Sequence, residues 1–221
     1  MMIEERIIAI RQELPPEVKL VAVSKFHPVD AIREAYAAGQ RVFGENRPQE
    51  FAKKVEDLKD LKDLEFHFIG HLQTNKLKMV LPYAHLVQSV DSQHLLDAIQ
   101  DWGKANDKVV SVLLELHIGA EQTKQGFKEE EVLDILFRAD KYKNVRFCGL
   151  MGMATHTDCE EDIRADFARI ADFRAYLQDL FPELTDFREL SIGMSEDWHI
   201  ALEYGATIVR IGTAIFGERQ Y

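Results

Sequence analysis

Eight short apolar runs recur along this 221-residue chain, and segments with helical periodicity lie between them. The runs are rich in Val, Ile, Leu and Phe, which is typical of strands buried on both faces of a sheet. The segments between them, such as 92–105 and 162–181, place apolar residues along one helix face. This alternation of strand and helix predicts an α/β fold with a parallel sheet. The predicted strands are 19–24, 41–44, 65–69, 84–89, 108–116, 145–151, 189–192 and 207–211.

The number of strands selects among the α/β folds. Eight parallel strands with seven intervening helices, and an amphipathic helix over 3–14 in the place of an eighth, predict one closed (β/α)8 TIM barrel over residues 1–221. Such a barrel is compact, because a typical one has about 250 residues. The alternative is an open, doubly wound sheet, but the GxGxxG motif that usually follows the first strand of that fold is missing.

The charge balance restricts the partners of the protein. Lys and Arg total 27 and Asp and Glu total 38, so the net charge is −11 with neutral histidines. Binding to nucleic acids or anionic membranes depends on clustered cations, so we expect neither partner. The charged stretch over 53–65 is interpreted as a solvated helix face and its connecting loop.

Cysteine content and the N-terminal segment indicate the compartment. Cys148 and Cys159 are the only cysteines and form no CxxC motif, which excludes a disulfide framework and fits a reducing compartment. The first residues carry charge every few positions, unlike a signal peptide, and no stretch approaches the roughly 18 apolar residues of a membrane span. We therefore expect a soluble, cytoplasmic protein and, since a closed barrel covers its strand edges, a monomer.

Glycine and hydroxyl residues follow the seventh and eighth predicted strands. The segment SIGMS contains Gly193 and Ser195, and Gly212 and Thr213 follow the last strand. In TIM barrels these two loops often bind phosphate through backbone N–H groups. Gly193 would allow close backbone approach, and Ser195 is predicted to cap the following helix. Together the loops favour a phosphate site over simple tight turns.

Lys25 ends the first apolar strand, beside the eighth strand once the barrel closes. A partly buried lysine amine can attack a carbonyl carbon, whereas an ordinary rim lysine extends its ammonium group into water. An amine beside a phosphate site indicates a phosphorylated aldehyde. Pyridoxal 5′-phosphate is the commonest such aldehyde that proteins hold as a lysine imine.

Arg210 lies within the apolar strand VRIG, where a permanent charge needs a partner. Pointing inward, it could donate to the pyridine nitrogen of the cofactor. An arginine keeps its proton, so the nitrogen would stay unprotonated and the ring would be a weak electron sink. The alternative is a buried arginine paired with a carboxylate such as Glu45.

Six sequence blocks in this order resemble the pyridoxal phosphate homeostasis protein family, whose members are similar to the N-terminal barrel of alanine racemase without its C-terminal domain. The similarity runs from about residue 3 to the end of the chain. The blocks are LVAVSK (20–25), FGENRPQE (43–50), HFIGHLQTNK (67–76), GLMGMATH (149–156), LSIGMS (190–195) and VRIGTAIFGERQY (209–221).

The resemblance implies a role for each matching residue. Lys25 would form the internal imine, Asn46 would lie beside the cofactor, and Arg210 would meet the pyridine nitrogen. His67 is also counted as a cofactor-binding candidate. The residues expected around the phosphate are Ser191, Gly193, Met194, Ser195, Gly212 and Thr213.

Two positions depart from the family pattern. The fifth strand usually ends in Val-Asn, and here His117 takes the place of the asparagine, which puts family contacts in that loop, including any made by Lys124, in doubt. His71 occupies a variable position and is interpreted as a surface imidazole. The spacing of His67 and His71 does not predict a metal pair, since a strand end and a glycine separate them. The acidic residues after His156 are interpreted as the start of a helix.

Three functions remain open from the sequence. The first is a non-enzymatic protein that binds pyridoxal phosphate and regulates the vitamin B6 pool and amino-acid balance, with pyridoxal phosphate-dependent apoenzymes as recipients. The second is a pyridoxal phosphate-dependent amino-acid racemase, which needs a second acid or base; Tyr221 is a conceivable donor. The third is a phosphosugar lyase or aldolase that forms a substrate imine, with Glu45 or Asp91 as its acid or base.

Overall fold

The structure, a computed structural model, describes residues 2–120 and 125–218. Within these residues eight parallel strands close into a barrel in sequence order, and β1 pairs with both β2 and β8. The predicted closed (β/α)8 TIM barrel is confirmed. The strands are β1 (Lys19–Val23), β2 (Val42–Glu45), β3 (Glu65–Phe68), β4 (Leu86–Val90), β5 (Val110–Glu115), β6 (Val145–Met151), β7 (Glu189–Ser191) and β8 (Ile208–Ile211).

Helices connect the strands and cover the outside of the barrel. The N-terminal helix was predicted over 3–14 and is observed over almost the same residues. The predicted count of seven intervening helices includes one between β3 and β4, and the structure has a helix of four residues there, too short for its position to show in the periodicity. The helices are α1 (Ile3–Glu13), α2 (Val29–Ala37), α3 (Pro48–Asp57), α4 (Leu77–Val80), α5 (Gln93–Asn106), α6 (Glu129–Leu136), α7 (Glu160–Leu180), α8 (Trp198–Glu203) and α9 (Thr213–Phe216).

Two apolar cores follow from the alternation of side chains along each strand. On β8, Val209 and Ile211 belong to the large cluster between strands and helices, whereas Ile208 belongs to a smaller cluster with Leu113 and Met151. The smaller cluster therefore fills the barrel interior. Arg210 lies two residues after Ile208 on β8, so its side chain faces the same side and is inside the barrel.

The described helices bear on two further points of the sequence analysis, the helix after His156 and the question of a membrane span. The helix α7 begins at Glu160 with acidic residues in its first turn, as expected from the sequence. None of the helices in the described ranges combines the length and the apolar character that crossing a bilayer requires. The cytoplasmic location stays a prediction.

Candidate functional site

The predicted residues converge at the carboxyl ends of four neighbouring strands. Lys25 follows β1 and Asn46 follows β2, while Gly193 and Gly212 follow β7 and β8. The order β7, β8, β1, β2 is continuous around the barrel because β8 pairs with β1. Since active sites of TIM barrels lie at this end, the candidate site is the rim formed by these four strands.

Aromatic contacts fix the loop that carries Lys25. Phe26 has a φ of +68°, which is rare for a bulky side chain. The guanidinium of Arg47 lies 4.3 Å from the centre of the Phe26 ring, and His27 stacks on Phe216 with ring centres 5.0 Å apart. The half-buried Lys25 is thus held between the loop after β2 and the last helix.

Asn46 is packed against the backbone after β3. A Cβ atom added at Gly70 would lie only 2.2 Å from the Asn46 carbonyl oxygen, so this approach requires glycine. The side-chain oxygen Oδ1 of Asn46 is buried and has no hydrogen-bond partner within residues 2–120 and 125–218. Such an atom costs about 1–3 kcal/mol, which marks it as a candidate ligand-binding atom.

The loops after β7 and β8 meet through one hydroxyl group. Ser195 Oγ accepts long hydrogen bonds from the backbone N–H groups of Gly212 (3.3 Å) and Ala214 (3.5 Å). Both distances exceed the usual 2.7–3.2 Å range for an N–H···O bond. A stronger acceptor, such as a phosphate oxygen, could therefore bind these donors in place of the hydroxyl. Thr213, between the two donors, is exposed.

The predicted capping role of Ser195 is wrong. The N-cap of α8 is Asp197, and its Oδ1 accepts a 2.6 Å hydrogen bond from the N–H of Met194. Gly193 turns the chain with a φ of +88°, and an added Cβ there would lie 2.7 Å from Ala201 Cβ. This tight turn directs Ser195 toward β8 instead of along α8, so it accepts from the loop after β8.

Arg210 is almost fully buried and its guanidinium binds oxygen atoms of two neighbouring strand ends. Nη1 donates to the carbonyl and the hydroxyl oxygens of Ser191, both at 2.7 Å, and Nη2 donates to the carbonyl of Gly152 at 2.9 Å. Burial lowers its pKa to about 10, against the attraction of Glu115 and Asp197, so it stays protonated at neutral pH. The alternative pairing with Glu45 does not occur.

A directional chain of hydrogen bonds continues from Arg210 through the barrel interior. The Ser191 hydroxyl accepts from Arg210 and donates to Gln88 Oε1 at 2.6 Å, and Gln88 Nε2 lies 2.8 Å from His67 Nδ1. Burial lowers the His67 pKa to about 3, so its ring is neutral and Nδ1 accepts from the Gln88 amide.

This series of hydrogen bonds bears on two of the expected cofactor contacts, those of Ser191 and His67. The Ser191 hydroxyl donates its single proton to Gln88 and accepts from Arg210, which does not fit donation to a phosphate oxygen. His67 is 1% exposed and is linked to Arg210 only through Gln88 and Ser191. Its direct binding to a cofactor stays a prediction that this geometry does not favour.

Glu115 is a site residue that the sequence analysis missed. It ends β5 in the barrel mouth with 6% exposure. Burial, and to a smaller extent the charge of Asp91, raise its pKa to about 7 against the opposing effects of Arg210 and His71. A charged residue in an apolar strand is the signal that identified Arg210, and Glu115 carries the same signal.

The two carboxylates considered as acid or base for a lyase have other partners. Glu45 Oε1 lies 2.7 Å from Lys54 Nζ and accepts from Ser24 Oγ at 2.6 Å. Asp91 lies 2.8 Å from His71 Nδ1, after β4 and three strands away from β1. This arrangement offers no support for acid or base chemistry beside Lys25.

Lys54 was predicted to be solvated with the rest of 53–65, but it is buried. It lies on the apolar face of α3, three residues after Phe51 and four before Leu58, and that spacing could have revealed it. Lys124 and Tyr221 lie outside the described residues. Within the described parts of the chain, no group of three or more His, Cys, Asp or Glu side chains is arranged to hold a metal ion.

The barrel and its rim define a class of protein. The family described as "Alanine racemase, N-terminal domain" matches residues 2–220, so the chain belongs to this family. The alanine racemase of Corynebacterium glutamicum shares the fold, with a TM-score of 0.75 at 16% identity over 96% of this chain and 59% of the racemase.

Within this family the chain belongs with the pyridoxal phosphate homeostasis proteins. The one from Aquifex aeolicus is 44% identical over 203 residues, which cover 92% of this chain and 88% of that protein. The human one is 38% identical, over 95% of this chain and 80% of that protein. PipY of Synechococcus elongatus, solved with pyridoxal phosphate bound, superposes with a TM-score of 0.90 at 39% identity, covering 98% of this chain and all of that structure.

Proposed function

We propose that this protein binds pyridoxal 5′-phosphate as an imine on Lys25 and serves in intracellular vitamin B6 homeostasis and amino-acid balance, without catalytic turnover. The observation that carries the proposal is the half-buried Lys25 at the end of β1, with Asn46 after the neighbouring strand β2, whose buried Oδ1 has no hydrogen-bond partner among the described residues. The pyridoxal phosphate-bound relative PipY supports the choice of aldehyde.

The residues of the rim fit the cofactor. The N–H groups of Gly212 and Ala214 make only long bonds to Ser195 Oγ, so they can bind phosphate oxygens. Gly193 allows the loop after β7 to pack closely against α8. Asn46 adds a polar group on the β2 side. Bound pyridoxal phosphate would supply an aldehyde that condenses with a primary amine and a pyridine ring that can withdraw electrons.

Arg210 supports a carrier more than an enzyme. Its guanidinium is held by Ser191 and Gly152 and stays protonated at neutral pH. It can donate a hydrogen bond to a ring nitrogen but gives up no proton to it. The pyridine ring would then remain a weak electron sink, which disfavours carbanion chemistry. A reversible imine permits later release of the cofactor to pyridoxal phosphate-dependent apoenzymes in the cytoplasm.

The proposal is tested by absorption spectroscopy of the protein reconstituted with pyridoxal phosphate and desalted. The wild type should be yellow, and Lys25→Ala should lose the imine band while keeping part of the cofactor non-covalently. Lys53→Ala, which removes an exposed lysine of α3, is the matched control and should keep the band. Incubation with L-alanine should produce no racemisation beyond that of the free cofactor.

Three outcomes would overturn this proposal. A colourless wild type would show that the protein does not hold pyridoxal phosphate as an imine. An unchanged spectrum in Lys25→Ala would show that another amine forms the imine. Racemisation at about 1 s⁻¹ or faster would place the protein among ordinary enzymes.

A further inference from the structure

A buried ion cluster lies beneath the loop that carries Lys25. Lys54 Nζ lies 2.7 Å from each of three oxygen atoms, which are Glu45 Oε1, Glu50 Oε1 and the carbonyl oxygen of Ser24. An ammonium group has three donors, so all of them are used. The Lys54 side chain is 5% exposed and the Glu45 side chain is fully buried.

Two members of this cluster bind the peptide groups on either side of Lys25. Lys54 donates to the Ser24 carbonyl, which belongs to the peptide group before Lys25. Glu50 Oε1 accepts a 2.8 Å hydrogen bond from the Phe26 N–H, which belongs to the peptide group after Lys25. The φ and ψ angles of Lys25 set the relative orientation of these two groups. The helix α3 therefore fixes the backbone of Lys25 through Glu50 and Lys54.

The same contacts hold a strained backbone. The left-handed conformation of Phe26 costs about 1–3 kcal/mol unless surrounding contacts impose it. The hydrogen bond from Phe26 N–H to Glu50 is one such contact, and the Arg47 guanidinium over the Phe26 ring is another. The loop is thus held in one shape by the side chains of α3 and its N-cap residue.

The cluster is better suited to fixing geometry than to adding stability. Burying ions costs several kcal/mol each, and apolar residues of similar size often stabilise a fold equally well. Burial also raises the pKa of Glu45, against the effect of Lys54, and Glu45 Oε2 has no hydrogen-bond partner in the part of the chain that the structure describes. The charged side chains form a hydrogen bond to the peptide group on each side of Lys25, which apolar side chains could not do.

We propose that Lys54 and Glu50 are positioning residues that hold the Lys25 backbone so that its amine is directed at an aldehyde bound in the rim. This inference rests on the proposed function of Lys25. In the reaction a C–N double bond forms between Nζ and the aldehyde carbon, and the carbonyl oxygen leaves as water with the two amine protons. No oxidant or reductant is needed. A fixed backbone lowers the entropy lost in this step.

The test separates imine formation from cofactor binding. The rate of imine formation is followed by absorbance after mixing the apoprotein with pyridoxal phosphate. Non-covalent affinity is measured with 4′-deoxypyridoxine 5′-phosphate, which has no aldehyde. We expect Lys54→Met and Glu50→Ala to slow imine formation on the order of tenfold, the effect of losing one charge-assisted hydrogen bond. Their affinity for the deoxy compound should stay within about twofold of the wild type.

Matched variants distinguish positioning from loss of folding. Glu50→Gln keeps an oxygen that can accept from Phe26 N–H, so it should recover most of the wild-type rate. Glu56→Ala removes an exposed carboxylate of α3, paired with Lys59 just after the helix, and should leave the rate of imine formation unchanged. Hydrogen exchange of the Phe26 amide in the apoprotein should be faster in Glu50→Ala than in Glu50→Gln.

The outcomes separate this inference from the proposed function. If the wild type binds the deoxy compound and both Lys54→Met and Glu50→Ala form the imine at the wild-type rate, the positioning role is overturned. Equal exchange of the Phe26 amide in Glu50→Ala and Glu50→Gln would also overturn it. If the wild type forms no imine with Lys25, the proposed function itself fails. Should Lys54→Met not fold, the two Glu50 variants still decide the matter.

Discussion

A charged side chain within an apolar strand is the residue-scale signal that identified Arg210, and the structure extends it to Glu115. Both residues face the barrel mouth and interact electrostatically. The pair of Lys54 with Glu50 follows helical spacing, but the contact of Lys54 with Ser24 could not be predicted in this way because Ser24 lies 30 residues earlier in the chain. Contacts of that kind depend on how α3 packs against the end of β1.

The raised pKa of Glu115 predicts a pH-dependent change in stability. Its value is about 7 in the folded protein and 4.5 for the unperturbed group. An acid with a raised folded-state pKa contributes stability below about pH 4.5, and this contribution is lost as the pH rises through about 7. Glu115→Gln removes the charge. At pH 8 it should therefore raise the free energy of unfolding of the apoprotein by about 1–3 kcal/mol more than it does at pH 5.

Urea unfolding of the wild type and Glu115→Gln at the two pH values measures this difference. Glu56→Gln, which replaces an exposed carboxylate instead of a buried one, is the matched control. An equal effect of Glu115→Gln at pH 5 and pH 8 would mean that Glu115 titrates normally.

At the scale of elements, the strands were predictable and their irregularities were not. The predicted runs overlap all eight observed strands, because buried parallel strands are continuous apolar segments. The pairing of β5 with β6 shifts between Val112–Phe147 and Leu113–Gly149, so Cys148 is an additional residue in β6. A bulge depends on both strands, and the periodicity of one strand does not show it.

Gly149 should be essential to this bulge. Its φ is +147°, and an added Cβ atom would lie 1.9 Å from the Glu189 carbonyl oxygen on β7. We expect Gly149→Ala to lower the free energy of unfolding by about 4 kcal/mol or more, because the two backbones must separate. Urea or thermal unfolding measures the loss.

The matched control is Gly39→Ala. Gly39 also has a positive φ, of +89°, but nothing lies within 4 Å of an added Cβ. Its replacement should cost only the conformational strain of about 1–2 kcal/mol. If the two variants lose the same stability, strain alone explains Gly149 and the contact with Glu189 is unimportant.

At the scale of the whole molecule, barrel closure explains which site residues could be predicted. Counting eight strands brings the ends of β1, β2, β7 and β8 together. Lys25, Gly193 and Gly212 were therefore proposed from their position in the chain, whereas the family resemblance supplied Asn46. Residues that act through the barrel interior or through a helix were missed or misplaced, because strand order does not give side-chain contacts. The chain from Arg210 to His67 and the α3 cluster are both of this kind.

Closure and net charge together predict that the protein is a monomer of 25.4 kDa in solution. The closed barrel leaves no strand edge to pair with a second copy, and a charge of −11 makes two copies repel at low salt. Sedimentation velocity across a range of protein concentrations, at low and at high salt, should give one monomeric species.

The ring of Phe137 is 65% exposed, and Tyr176 and Leu180 are exposed on α7. A dimer that forms at high salt and is abolished by Phe137→Ser would contradict the prediction and place the contact at this apolar surface.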